Sequence, residues 1–476
     1  MFLCVQPDTA SAAGTPCSIT PVLTEADLDT CIAEAPTDNS EFDITLGANF
    51  NLATQKTIAA GKNITLASIN PASPAILTRD AGFVGRMFFI NVSGPTTLTI
   101  DSVIIEGNNQ PAAANNQLIH TVGTGEVTVN LTGNTILRNN YNAYAAYAGG
   151  AIFINGTGHK LNLSGNVQIT NNTSGAGGGG IASTAGNTLN MSGNVIVGGN
   201  SAGGYGGGIS MTDSTFVMSS GTVSGNTAGA AGGGVRVSGT FIMTGGEISG
   251  NTAARYGGGV TLADSVVATF TMTGGKISGN TAVSSTGRGG GGVRVGENNT
   301  FDMSGGVISD NASGNHGGGI QVDYDGIVNI SGNAEISGNT SSFDGGGIWI
   351  EHDNLTNLTV GASAVFSGNS AATATRMNPA DQALYNAQIF ATSFSLPLPF
   401  NGYNNFDISY ASDLSTDICQ HNSSLWADDT KCVSVPGTGL FGGQVGGATI
   451  SVLSLIVSGV MIVVVWTHKK SRRLLW

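Results

Sequence analysis

Between Leu189 and Asn369 the chain keeps returning to one pattern of apolar and small residues. Each copy reads roughly F-x-M, then I-S-G-N, then G-G-G-V-x-V, as in Phe241 to Val260, FIMTGGEISGNTAARYGGGV. Within each segment apolar side chains alternate with small or polar ones, which is the period of a strand. Every segment is too short for a helix, and glycine stands between them all. Aligned on the methionine, the copies put Met191, Met218, Met243, Met272, Met303 and Ile330 in one slot, at intervals mostly in the high twenties. Three short strands per turn predict an all-β fold, a right-handed parallel β-helix. Each strand then pairs with its copy in the next coil, about 4.8 Å away. The pattern lacks the leucines of a leucine-rich repeat, the six-residue period of a left-handed β-helix and the GGxGxDxUx calcium nonapeptide.

Stacked coils turn each slot into a column. Phe216, Phe241, Phe270 and Phe301 are expected to stack inside, beside the methionines. Asn226, Asn251, Asn280, Asn311, Asn339 and Asn369 are expected to form an internal ladder at a sharp corner. Asparagine tolerates the left-handed conformation, and its amide can bond the copies above and below. The glycines permit tight corners and close backbone approach. No Walker spacing with its lysine is present, so these glycines read as structural and no cofactor is implied.

The ends read differently. Thr24 precedes an acidic first turn and a helical pattern, TEADLDTCIAEAP, which predicts a helix capping the open end of the solenoid. ITLGANFNL, ITLASIN and TLTIDSVIIEG then read as strands, and NPADQALYNAQIF from Asn378 as a second short helix. About twelve coils are expected, a rod about 55–60 Å long. Ala10-Ser11-Ala12 is an A-x-A cleavage site, but no basic region precedes it. It is therefore read as the remnant of a signal peptide that starts upstream. Ala448 to Trp466 is an uncharged apolar run, about 29 Å long as a helix, followed by His468, Lys469, Lys470, Arg472 and Arg473. That order predicts one C-terminal transmembrane helix with a cytoplasmic stop, so that the repeats face outward. The expected divisions are 1–16 signal-peptide remnant, 17–94 N-terminal cap and first coils, 95–370 β-helix repeats, 371–434 C-terminal cap and stalk, and 435–476 anchor.

Composition narrows the partners. The net charge is −13, and four of the seventeen basic residues sit in the last eight, so the exported part is more acidic still and nucleic acid is excluded. Cys17, Cys31, Cys419 and Cys432 lie outside the repeats. Four cysteines allow three connectivities, of which proximity favours two local pairs, and disulfides suit an oxidising, exported setting.

Two resemblances follow from short motifs. Val435-Pro436-Gly437-Thr438-Gly439, an apolar run and a basic tail together resemble the LPxTG cell-wall sorting signal, with Val435 where that family has leucine. The resemblance implies cleavage between Thr438 and Gly439 by a sortase as transient partner, and attachment to peptidoglycan; the plain alternative is a membrane anchor. Gly149-Gly150-Ala151-Ile152 and Phe366-Ser367-Gly368-Asn369 resemble the GGA[ILV] and FxxN repeats of polymorphic outer-membrane proteins. That likeness covers about residues 95–370 in a relaxed form and implies a bacterial surface protein, commonly an adhesin.

Any specific chemistry must sit on the variable parts of this scaffold. The corner after GGGVxV absorbs most of the length variation and is acidic, with Asp213, Asp264, Glu297, then Asp323 with Asp325 and Glu351 with Asp353. Acidic turns are ordinarily solvated turns. Carboxylates spaced one coil apart would also suit cation binding, at Asp325 and Asp353, or glycosidase chemistry at Asp323, Asp325, Glu351 and Asp353. A lyase would also need a base, for which Arg294 is the candidate, and Trp349 and His352 lie close in sequence. A second row precedes the glycines, Tyr205, Tyr256, Arg288, His316 and Phe343, and aromatics interleaved with polar groups can stack on sugar rings. The expectation is a cell-surface, non-catalytic adhesin that contacts a host or microbial glycan or protein. The alternatives are a surface polysaccharide-degrading enzyme on the acidic corner and an envelope protein without a specific ligand.

Overall fold

The computed structural model describes residues 14–372 apart from 110–114, 144–148, 185, 265–266, 287, 351–356 and 362, together with the backbone of the strands Ile408–Ser409, Ile450–Val457 and Val460–Thr467. The chain winds into a right-handed-type parallel β-solenoid of about twelve turns. One sheet counts the coils directly, with twelve strands from Phe50–Leu52 to Val365–Ser367, each paired in parallel to its copy in the next turn. The V-x-V and F-x-M segments share a second, 23-stranded sheet, and in Ile209–Met218 and Val235–Met243 the two run on as one strand. Two-residue strands such as Thr252–Ala253 form a third, nine-stranded sheet just after the asparagine corner.

The columns read from the sequence are present in register. Phe216 pairs with Phe241, Phe241 with Phe270 and Phe270 with Phe301, and Met191 to Ile330 follow in the adjacent slot. The phenyl rings stack nearly face to face, with centroids 4.7, 4.4 and 4.6 Å apart. Strand pairing sets that spacing, because rings on neighbouring strands cannot separate further without breaking the ladder.

The asparagine corner differs from expectation in one respect. Asn251 Nδ2 donates to Asn280 Oδ1 at 2.9 Å and to Val223 O at 2.9 Å, and its own Oδ1 accepts from Asn226 N and Nδ2. The same motif runs from Asn172 and Asn200 to Asn369, so the ladder begins earlier than the sequence suggested. The ladder asparagines, however, do not take the left-handed conformation. The residue before each one does: Gly250 at φ 62°, and where glycine is lacking, Asn139, Asn171 and Asp310. Bend and bonding are thus divided between two adjacent residues, and only the first must tolerate positive φ. The glycine triplet follows a similar logic. Gly257 turns at φ 62°, while a Cβ on Gly258 would lie 2.4 Å from Gly291 O of the next coil.

The first coil is capped as predicted. The helix Glu25–Glu34 has a capping box between Thr24 and Asp27 and buries Leu28, Cys31 and Ile32. Its Glu25 accepts from the backbone N–H groups of Ala53 and Thr54 at 3.0 and 2.9 Å, donors just beyond the first strand of the twelve-stranded sheet. Buried Lys56 bridges Glu25 and Asp29 at 2.7 Å each, and Lys62 Nζ reaches the carbonyl of Ala35 at the helix end. The Cys17–Cys31 disulfide, one of the two expected local pairs, ties the helix to the preceding segment. Thr15–Pro16 already pair with Phe42–Asp43, so the fold includes the last two residues of the stretch assigned to the signal-peptide remnant.

At the other end the structure departs from the predicted helix. Ile450–Val457 and Val460–Thr467 form an antiparallel pair, and no helix among the described residues is long and apolar enough to cross a membrane. The run is dominated by valine and isoleucine and split by Ser458-Gly459, a composition that favours a hairpin wherever no lipid surrounds it. The Asn378 helix, Cys419, Cys432 and the motif Val435 to Gly439 lie outside the described residues.

Candidate functional site: an outward lane of aromatic and charged side chains

The middle residue of each V-x-V segment points away from the coil interior. In register these residues run Phe89, His120, Phe153, Ala182, Ser210, Arg236, Thr261, Arg294, Gln321 and Trp349. This column escaped the sequence reading because only its flanking valines repeat. The signal that would have revealed it is the unusual chemistry of one outward slot: two arginines, a histidine, two phenylalanines and a tryptophan. The segment before each glycine triplet folds beside the column, so most of its members are buried although they point outward.

The row expected before the glycines lies against this column. Tyr205 and Tyr256, both half-buried, sit two coils apart with Ala231 paired between them. The Arg236 guanidinium lies 5.3 Å from the Tyr205 ring centre, and that of Arg294 4.5 Å from Tyr256. His316 stacks on Trp349, with centroids 4.9 Å apart at 21°, and packs at 5.5 Å against Phe343, which is exposed. The row is less regular than its spacing implied. Gly257 bonds Gly289 and Gly317 bonds Asp344, so Gly289 and Asp344 hold the row's slot and Arg288 and Phe343 lie one residue earlier.

Arg288 owes its place to a length change that the sequence analysis assigned elsewhere. Between the short strand Thr281–Ala282 and Gly290 this coil carries four more residues than its neighbour does between Thr252–Ala253 and Gly257. From that insertion Arg288 reaches Glu297 at 3.0 Å, Asp323 at 3.1 Å and Asp264 at 3.6 Å. Arg294 meets the same acids from the strand, with Nε 2.6 Å from Asp323 and Nη2 2.9 Å from Asp264. Gln321 Nε2 donates to the other oxygen of Asp323 at 2.9 Å. Burial pushes the Asp323 carboxyl up, against the opposing pull of Arg294 and Arg288.

The acidic corner is therefore not a row of equivalent carboxylates. Asp264 and Asp323 are joined through the arginines, whereas Asp325 is solvent-exposed on a left-handed turn residue. Arg294, considered as a base, is occupied as a buried ion-pair partner. Asp213 also turns left-handed and is exposed, while Glu351, His352 and Asp353 lie outside the described residues. Among the described residues no three histidine, cysteine or acidic side chains converge as metal ligands. Nearer the N-terminus the same column holds a second cluster. His120 sits between Phe89 and Phe153 at 5.6 and 4.9 Å, and its Nδ1 accepts from Arg86 Nε at 2.6 Å. Burial, reinforced by the charge of Arg86, pushes its pKa down to about 3, and its Nε2 is buried without a partner.

No family model, no curated protein and no solved structure matches this chain. The likeness to polymorphic outer-membrane-protein repeats and to a sorting signal rests on the short motifs themselves.

Proposed function

We propose that this chain is a cell-surface β-helix whose outward lane, from Tyr205 to Trp349, binds an extended partner such as a surface glycan without cleaving it. The observation that carries the reading is the juxtaposition of Tyr256, His316, Phe343 and Trp349 with a cluster of charges, on a scaffold that is otherwise sparingly charged. Tyr256, His316 and Phe343 are partly exposed and offer stacking faces, with Trp349 buried against His316, and a rigid rod holds them at fixed intervals, so weak contacts add through multivalency. Tying Asp323 to two arginines and a glutamine favours binding over acid–base catalysis, because a general acid or base must be free to exchange its proton with the substrate.

Display follows from the C-terminal sequence. A lone two-stranded pair would leave backbone groups unsatisfied in lipid, so within a bilayer the run from Ala448 to Trp466 becomes the spanning helix. Thr438 is then the residue through which a sortase would transfer the chain to the cell wall. Two measurements test the proposal. Fractionating cells that express Thr438→Ala separates wall attachment, which the substitution abolishes, from a plain membrane anchor, which it leaves unchanged. Incubation with a glycan panel should give binding without released oligosaccharides. Release that disappears in Asp325→Asn would replace the adhesin reading with an enzyme.

A further inference from the structure

One fully buried cation of the rod is left short of partners. Arg79 ends the second strand of the twelve-stranded sheet, Ala75–Arg79, and points into the coil. Its Nη groups donate only to neutral acceptors: Gly85 O, Asn116 O at 2.9 Å, and Gln117 O and Asn140 Oδ1 at 3.3 Å each. Its Nε is buried without a partner. The guanidinium thus ends at Gln117, whose side chain is also fully buried, with neither Nε2 nor Oε1 bonded. A second cation stands beside them. Arg86 lies opposite Gln117 in the preceding coil, because Met87 N donates to Gln117 O and Phe88 pairs with Ile119. Among the described residues no carboxylate pairs with either arginine, and burial alone lowers both pKa values, that of Arg79 to about 10. Other buried cations are provided for. Lys56 and Arg294 each bridge two carboxylates, and Lys62 Nζ donates to the carbonyls of Ile32, Ala33 and Ala35 at the end of the cap helix.

We propose that a small monovalent anion, of the size of chloride, binds inside the solenoid beside Arg79, held by Arg79 Nε and Gln117 Nε2. Buried polar groups without a protein partner are rare and call for a bound water or ion. A water would bond the two donors but bring no charge, and an uncompensated buried charge is strongly destabilising. An anion accepts from both donors and neutralises the guanidinium at once. Arg86 adds to the positive potential at the same place, on a chain that is otherwise acidic. Close packing of the interior favours a small spherical ion over a polyatomic one. Half-buried Phe83, its ring centre 5.2 Å from the Arg79 guanidinium carbon, covers the cation. Gln117 Oε1 is an acceptor and takes no part. The site shares no residue with the aromatic lane, so this proposal and the glycan reading can fail independently.

The test is thermal unfolding of the full chain in sodium chloride, sodium bromide and sodium gluconate at one ionic strength. Gluconate is too large for the site and serves as the reference. The melting temperature should rise with chloride or bromide by about 2 °C or more relative to gluconate, since a ligand of the folded state stabilises it. Gln117→Glu sets a fixed carboxylate beside Arg79 with almost no change of shape. In that variant the chloride response should vanish, and melting in gluconate should match that of the wild type in chloride. Arg79→Met should lose the response too, whereas Lys276→Ala, an exposed charge on the same sheet, should keep it. Equal melting of the wild type in chloride and gluconate, the outcome for a bound water, would overturn the proposal. So would a chloride response that survives in folded Gln117→Glu.

Discussion

Replacing Asn251 by alanine tests the internal ladder at its centre. Asn251 is fully buried and takes part in four side-chain hydrogen bonds: two donated, to Val223 O and Asn280 Oδ1, and two accepted, from Asn226 N and Nδ2. Alanine removes all four. Asn280 Oδ1 keeps the bond from Asn251 N and Asn226 Nδ2 keeps its bond to Val197 O, but Val223 O, Asn226 N and the second Nδ2 hydrogen of Asn226 lose theirs in the dry interior. Each stranded buried group costs about 1–3 kcal/mol, and a small cavity adds to this, so a loss of about 3–5 kcal/mol is expected. In a solenoid the damage is local, and the coils on either side should uncouple. Amide exchange should therefore show lost protection concentrated between residues 223 and 280. The matched control is Asn194→Ala, whose amide donates to Asn166 at 3.1 Å in an exposed ladder; here less than about 0.5 kcal/mol is expected. If both substitutions cost the same, or Asn251→Ala costs less than about 1 kcal/mol, the ladder is not what holds the corner.

Other expectations follow from the caps, the core and the lane. Burial acts against the charge of Glu25, but hydrogen bonds from Lys56, Ala53 and Thr54 outweigh it and hold its pKa at about 2. A depressed carboxylate stabilises above its ordinary value of 4.5, and that contribution is lost as the pH falls through about 2, so Glu25→Gln should flatten acid-melting curves of the N-terminal cap over this window. His316 is pushed down to about 4 by burial, so its neutral form is favoured and stability should fall as the pH drops from 6.5 toward 4. His316→Phe should remove that slope in a titration of thermal unfolding. Reducing the Cys17–Cys31 bond, which spans 14 residues, should loosen the cap by about 3 kcal/mol and leave the protection of the later coils unchanged. Phe241→Ala, which removes a ring stacked on both sides, should cost about 3–5 kcal/mol in chemical denaturation.

The coil was legible in the sequence wherever one residue type recurs in one slot. Phenylalanine, methionine and asparagine columns each announce a shared environment, and the alternation of Phe270, Thr271 and Met272 assigns the faces. Positions whose identity changes from coil to coil could not be read this way. Arg236, Thr261, Arg294, Gln321 and Trp349 share one outward slot without sharing chemistry, so no repeat marks them. The meeting of Arg288 with Asp264 and Asp323 depends on an insertion folding back across neighbouring coils, a contact that spacing along the chain does not encode. The division of labour between Gly250 and Asn251 was hidden for a different reason, since either residue type can occupy a left-handed turn. The run from Ala448 to Trp466 reads from its length as a helix, whereas Ile450–Val457 and Val460–Thr467, rich in β-branched residues, pair as strands.

The claim that matters most is that recognition resides on the outward lane. Binding of the full chain to the glycan that it retains from a panel should be compared with that of Tyr256→Ala combined with Phe343→Ala. Loss of two stacking faces at about 1 kcal/mol each predicts about thirtyfold weaker binding by a double variant that still folds, with only a modest fall in melting temperature from the lost contacts to Arg294 and His316. Unchanged affinity in the folded double variant would contradict the account and place recognition elsewhere on the rod.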